Sequence, residues 1–216
     1  MLSRVARLLL DAVAPLRCAG CECVTDAPIC PGCVGHMTAM PVPTPRRMPR
    51  GIAFAGFEFE GPVRSALHRG KYGGDRGALE ALGALTAARL DAQGARSRLS
   101  MPDAVAGVPL GPRRRRQRGY NQSAVIARVV ADARRLPLVG GLQRVRDTAP
   151  QSARAEDERR SNVAGAFVWT GMPLARARLW LVDDVLTTGA TVEAAATALQ
   201  AAGAARIDVV VVAMVP

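Results

Sequence analysis

Aromatic side chains are scarce: two Trp, two Tyr and four Phe make up 4% of the 216 residues. The apolar volume must therefore come from Ala, Val and Leu, within a hydrophobic fraction of 49%. Such a core favours helices packed on a Val-rich sheet. Acidic residues are also in deficit, 18 against 29 Lys and Arg, which leaves a net charge of +11. This balance suits acidic partners such as nucleotides, pyrophosphate or nucleic acid, beside the plainer reading of a solvated, Arg-rich surface. No long apolar run is present. The Val-rich stretch 209–215 is far shorter than the ~20 residues a bilayer helix needs, so no membrane insertion is expected. Nor is a secretory leader expected. Leu8, Leu9 and Leu10 fall short of the roughly 7–15 apolar residues such a segment requires, and residues 2–13 read as a short amphipathic helix. A cytoplasmic location is expected.

Cysteine is missing everywhere except residues 18–33, which hold all five. In a reducing compartment, clustered thiols point to metal before disulfides. Cys18-Ala-Gly-Cys21 and Cys30-Pro-Gly-Cys33 are two C-x2-C knuckles, and four thiolates at this spacing predict a closed structural Zn2+ site on Cys18, Cys21, Cys30 and Cys33. Cys23 could replace Cys21 as a ligand or stay free, and His36, three residues past Cys33, could also substitute. Residues 41–50 carry four prolines and three arginines and read as an extended linker. The length allows one full domain plus a small module. The expected division is 1–40 for the helix and cysteine module, 41–50 for the linker and 51–216 for the main domain.

Within the main domain the pattern predicts a hairpin or strand around Phe54, Phe57 and Phe59, and helices over 62–69 and 76–91. Residues 71–75 read as a turn, and 104–108 as a strand followed by an Arg-rich loop. A helix is expected over 121–135, with Asn121 as a candidate cap, and a polar loop over 143–162. The last third reads as a βαβ unit: a strand at 179–182, a loop at 183–188, a helix at 190–202 and a strand at 207–215.

The loop of that unit carries Asp183-Asp184-Val185-Leu186-Thr187-Thr188-Gly189-Ala190-Thr191. Ligands in open α/β sheets bind at the carboxyl ends of strands, and a helix start offers unpaired N–H groups to phosphate. Gly189 permits a close backbone turn, and Thr187, Thr188 and Thr191 add hydroxyl donors. Two carboxylates would repel a phosphate unless they face something else; ribose hydroxyls and water-bound Mg2+ are suitable partners. A ribose 5-phosphate satisfies both halves. The spacing fits neither a Walker A nor a G-x-G-x-x-G motif.

Residues 182–191 resemble the phosphoribosyl pyrophosphate (PRPP) motif of type I phosphoribosyltransferases. More of the chain resembles the ComF family, also called GntX or amidophosphoribosyltransferase-like. The pieces occur in family order: the paired cysteines, Lys71-Tyr72-Gly73-Gly74, Val108-Pro109-Leu110, Arg118-Gly119-Tyr120-Asn121-Gln122, Arg146-Asp147-Thr148, Gln151, Glu158-Arg159-Arg160-Ser161-Asn162 and the PRPP motif. The resemblance implies an α/β type I phosphoribosyltransferase fold, a Rossmann-like parallel sheet with a small hood and an N-terminal zinc-ribbon-like module. It implies PRPP, or a ribose-5-phosphate nucleotide, with Mg2+ as ligand. Asp183 and Asp184 would take the ribose hydroxyls, and Val182 with 187–191 (Thr187, Thr188, Gly189, Ala190, Thr191) the phosphate side. Residues 108–111, with Pro109 and Leu110, would form a pyrophosphate loop, and 144–162 a mobile loop. Family members often carry His where this chain has Gly111, so backbone contacts are the main option there.

Arg113, Arg114, Arg115, Arg116 and Arg118 follow that loop directly. Guanidinium groups suit bidentate phosphate contacts, and a nucleic-acid surface fits the charge equally. Arg118, within the R-G-Y-N-Q match, is the best-marked of them. Arg159 and Arg160 would stabilise departing pyrophosphate alongside Asp183 and Asp184 as the catalytic set. Two functions follow: phosphoribosyl transfer to an unidentified acceptor, or a non-catalytic role in competence, DNA uptake or DNA processing. In the second, the fold senses a ligand or meets single-stranded DNA or a DNA-processing protein.

Overall fold

The computed structural model describes residues 15–97, 101–146 and 165–215. The expected N-terminal helix 2–13, Asp147, Thr148, Gln151 and residues 158–162, including Arg159 and Arg160, lie outside the described residues. A five-stranded sheet has the order β1-β2-β7-β6-β3, from β1 (Arg46–Met48), β2 (Gly51–Glu58), β3 (Ala104–Gly107), β6 (Arg178–Leu186) and β7 (Arg206–Met214). The β2–β7, β7–β6 and β6–β3 pairs are parallel, and β1 is antiparallel to β2. This is a mixed α/β fold with a mostly parallel sheet.

Side chains alternate along a strand, and a parallel sheet is buried on both faces. Trp180 and Val182 of β6 and Val210 and Val212 of β7 meet α2 (Gly61–Tyr72), α3 (Arg76–Ser97) and α5 (Gln122–Arg134) through Leu67, Leu79, Leu82, Ile126 and Val130. On the other face, Leu179, Leu181, Val209 and Val211 meet Val192, Ala195 and Leu199 of α6 (Ala190–Ala201). Each fully buried Leu or Ile contributes about 2 kcal/mol. Beside α6 lies a small antiparallel sheet of β4 (Leu142–Arg144) and β5 (Phe167–Trp169).

Five local expectations are corrected. The Pro-rich linker contains β1, because Arg46, Arg47 and Met48 carry backbone N–H groups and the flanking prolines are tolerated at a sheet edge. The Arg-rich loop is a helix, α4 (Pro112–Arg118): Pro112 suits the first turn, arginine favours helix, and Gly119 at φ +76° closes it with its N–H on the Arg115 carbonyl. Asp183 and Asp184 belong to β6 rather than to a loop, since β6 stays paired with β7 up to Leu186↔Met214. Helix α2 runs on through Lys71 and Tyr72 before the turn at Gly73, and β4 takes up Gln143 and Arg144 at the start of the expected loop.

The cysteine segment leads into α1 (Pro31–Ala39), and Cys18, Cys30, Cys33 and Met37 share one core cluster with Phe57, Leu67 and Leu79. Arg89 of α3 fastens α1. Its guanidinium donates to the carbonyls of Met37 (2.8 Å), Thr38 (3.3 Å) and Met40 (2.6 Å) and lies 4.7 Å from the centroid of the Phe57 ring. A cation at these carbonyls completes the helix C-terminus.

Candidate functional site

The carboxyl ends of β3 and β6 open into a cleft of about 440 Å3. Asp183, Asp184 and Thr191 line it, facing Pro109 and Leu110 after β3, Arg114 and Arg118 of α4, and Lys71 and Tyr72 at the end of α2. Of the sequence-predicted residues, the structure thus brings Asp183, Asp184, Thr191, Pro109, Leu110 and Arg118 into one cavity. Thr187, Thr188, Gly189 and Ala190 form the adjoining turn at the start of α6. Val182 is buried in the sheet, and its carbonyl accepts from the Val108 N–H at 2.9 Å.

Gly189 has φ +90°, which a side chain would strain, and a Cβ there would lie 3.2 Å from the Met48 terminal methyl. Thr188 Oγ1 accepts from the Ala190 N–H at 3.5 Å. The turn is held from the sheet edge: Arg46 donates both terminal nitrogens to the Thr187 carbonyl, at 2.9 and 2.7 Å. An oxygen of the turn is thereby occupied, and the helix start is left to offer donors to an anion.

The acid pair is tightly set. Ser123 Oγ donates to Asp183 Oδ1 at 2.6 Å, and the Asp184 N–H donates to the same oxygen at 2.9 Å. Lys71 Nζ pairs with Asp184 Oδ2 at 3.0 Å, both side chains being largely buried. Burial, then the neighbouring Asp184, push the Asp183 carboxyl up to about 7, against the opposing pull of Ser123, the Asp184 amide and Lys71. Around the acids the lining is cationic, with Lys71, Arg114, Arg118 and Arg144. Arg118 lies 5.0 Å from the centroid of the Tyr72 ring. Helix α4 divides its arginines: Arg114 and Arg118, four apart, line the cleft, whereas Arg115 and Arg116 are exposed away from it. Sequence reasoning missed Arg46, Lys71, Ser123 and Arg144 as site residues. The local signals were that Lys71 and Ser123 lie in or next to two of the family motifs and that Arg144 begins the expected mobile loop.

The second cluster is sulfur. The Sγ atoms of Cys18, Cys21, Cys23 and Cys30 all lie within 4.8 Å of one another. Three belong to the expected ligand set. The fourth expected residue, Cys33, is buried beside them, and its N–H donates to Cys30 Sγ at 3.4 Å. Cys18 Sγ accepts from the N–H groups of Gly20 (3.3 Å) and Cys30 (3.2 Å). Burial raises the Cys18 thiol, but these amides and that of Cys21 outweigh it and bring it down to about 6. Cys23 is pushed up to about 12 by the neighbouring Cys21 and Cys30 sulfurs, and Cys33 is pushed up by burial. Clustered soft donors with N–H groups aimed at one sulfur fit a metal ion such as Zn2+.

The chain has relatives among curated proteins. It is 35% identical over 118 residues to DNA utilization protein YhgH of Salmonella typhimurium, covering 51% of this chain and 49% of that one, so it spans about half that protein's length. To DNA utilization protein YhgH of Escherichia coli O157:H7 it is 28% identical over 190 residues, covering 86% of this chain and 83% of the other. To competence protein F of Haemophilus influenzae it is 32% identical over 114 residues, covering 51% and 50%. The chain is a homologue of these proteins, in accord with the resemblance to the ComF family carried by its motifs. No protein-family model matches it. Among solved structures, the Bacillus subtilis glutamine PRPP amidotransferase complexed with ADP and GMP aligns at TM-score 0.42 and 22% identity, over 63% of this chain and 26% of that one. A Pyrococcus horikoshii purine phosphoribosyltransferase aligns at TM-score 0.35 and 19% identity, over 60% and 69%. Among the described residues no helix is long and apolar enough to cross a membrane.

Proposed function

We propose that the cleft binds PRPP with Mg2+ and transfers its phosphoribosyl group to an acceptor. One observation carries this reading: a carboxylate pair and an anion-accepting helix start share the strand ends with a cationic wall. Neither half alone would suit a sugar bearing both a phosphate and a pyrophosphate. Asp183 and Asp184 accept from the ribose 2′ and 3′ hydroxyls, and Lys71 exchanges its hold on Asp184 as they bind. The N–H groups and hydroxyls of 187–191 receive the 5′-phosphate. The backbone of 108–111, with Arg114 and Arg118, receives the pyrophosphate. The two carboxylates at the strand end are a hard oxygen donor set that would suit Mg2+, and the ion would help to neutralise the charge of the leaving group. The bond from ribose C1 to the pyrophosphate oxygen breaks, that from C1 to the acceptor forms, and the acceptor's proton is lost to solvent. The cationic wall of Lys71, Arg114 and Arg118 stabilises the departing polyanion.

A second reading, a non-catalytic accessory of DNA uptake or processing, is favoured by the names of the relatives and by the outward face of α4. The structural Zn2+ module and a cytoplasmic location are common to both. Calorimetric titration with PRPP, with and without Mg2+, tests the first reading. Micromolar-range binding that needs Mg2+ and disappears in Asp183→Asn/Asp184→Asn is the expected result. Equal affinity in that double variant would overturn the assignment of the acids.

A further inference from the structure

Four consecutive residues at the start of α5 reach four separate parts of the cleft. Tyr120 Oη donates to the Gly70 carbonyl, next to Lys71. Asn121 Nδ2 donates to the Val108 carbonyl at 3.0 Å, at the start of the loop after β3. Gln122 Oε1 accepts from an Arg118 terminal nitrogen at 3.2 Å, and Ser123 Oγ donates to Asp183 Oδ1 at 2.6 Å.

Local helix chemistry does not account for these choices. Asn121 occupies the N-cap position, where its side chain would ordinarily accept a backbone N–H, yet it makes no capping bond and turns to Val108 instead. Gln122 and Ser123 are 1% and 2% exposed, at positions where an apolar residue would pack without desolvation cost. Among the described residues, Asn121 Oδ1 and Gln122 Nε2 are buried without a partner, a desolvation cost that packing of the helix itself does not offset. These side chains act at a distance from the helix that bears them. Ser123 and the Asp184 N–H both bind Oδ1 of Asp183, which fixes the carboxylate plane and leaves Oδ2 for a ligand hydroxyl.

We infer that residues 120–123 are positioning residues: one helix start sets the separation between the acid pair, the loop after β3, Arg118 and the Lys71-bearing end of α2. The inference rests on the reading of the cleft as a PRPP site. Because each residue serves a different wall, each governs a different portion of the ligand. Asn121 and Gln122 serve the pyrophosphate portion, Ser123 the ribose portion, and Tyr120 the closing edge at Lys71.

The test uses two probes separately, inorganic pyrophosphate and ribose 5-phosphate, titrated calorimetrically with Mg2+ against the full chain. Asn121→Ala is expected to weaken pyrophosphate about tenfold while ribose 5-phosphate changes less than about twofold; Ser123→Ala is expected to show the reverse. Ser123→Thr, which keeps the hydroxyl, restores ribose 5-phosphate binding. A merely structural role would lower the melting temperature and weaken both probes together. That result, or no change with either probe, overturns the inference while leaving the site assignment in place. A native chain that binds neither probe removes the PRPP reading, and the inference with it.

Discussion

At Asp183 burial and the adjacent Asp184 hold the carboxyl's pKa near 7, against about 3.9 in an unfolded chain. A folded-state pKa raised above the unfolded value means that the native form holds its proton more tightly. The stability this provides is complete below about pH 4 and is lost as pH rises toward 7. Asp183→Asn keeps the shape and removes the charge. Its melting temperature should exceed the parent's by a margin that grows between pH 4 and 7.5, on the order of 3 °C or more at the top. A margin independent of pH in thermal scans would show that Asp183 bears no such cost. Asp183 and Asp184 were legible because strand, acids and glycine turn lie in one short stretch. Ser123, 60 residues from Asp183, was not: only the fold brings its hydroxyl to that carboxylate. The same holds for Arg46, whose contact with Thr187 spans 141 residues.

Helix α4 was legible in composition but not in conformation. A run of arginines reads as a solvated turn because charge carries no period, whereas Pro112 and Gly119 mark where a helix starts and stops. The helical spacing then gives the run two faces. Arg114 and Arg118 serve the cleft, and Arg115 and Arg116 are available to a second acidic partner. If that partner is single-stranded DNA, Arg115→Ser/Arg116→Ser should weaken its binding at low salt. It should also flatten the slope of log affinity against log salt by about 0.7 for each DNA phosphate no longer neutralised. PRPP affinity should stay where it was. Fluorescence anisotropy across a salt series decides this, and an unchanged slope would take DNA off that face. Strand β1 was hidden for a different reason: three residues between prolines are too few to show alternation, and only pairing to β2 defines them.

Across the whole molecule, the βαβ unit and the cysteine knuckles were the most readable parts, each being a local pattern. Less readable was how the knuckles join the rest, which depends on the long reach of Arg89 and on apolar contacts from Cys18, Cys30, Cys33 and Met37. If the sulfur cluster holds a metal, these contacts make its loss a matter for the entire fold. Chelation under reducing conditions should lower the temperature of one cooperative unfolding transition. A calorimetric trace in which the main transition stays put and a small one vanishes would show the module to be energetically separate. The topology has a further consequence, for folding order. Strand β7 lies between β2 and β6, its residues from Ile207 onward are buried, and it comes latest of the described strands. The pairs β1–β2 and β3–β6 can form earlier on the ribosome, but they cannot meet until β7 emerges. Until then both halves present unpaired edges, so a nascent chain stalled before Arg206 is the form of this protein most exposed to aggregation and most in need of a chaperone.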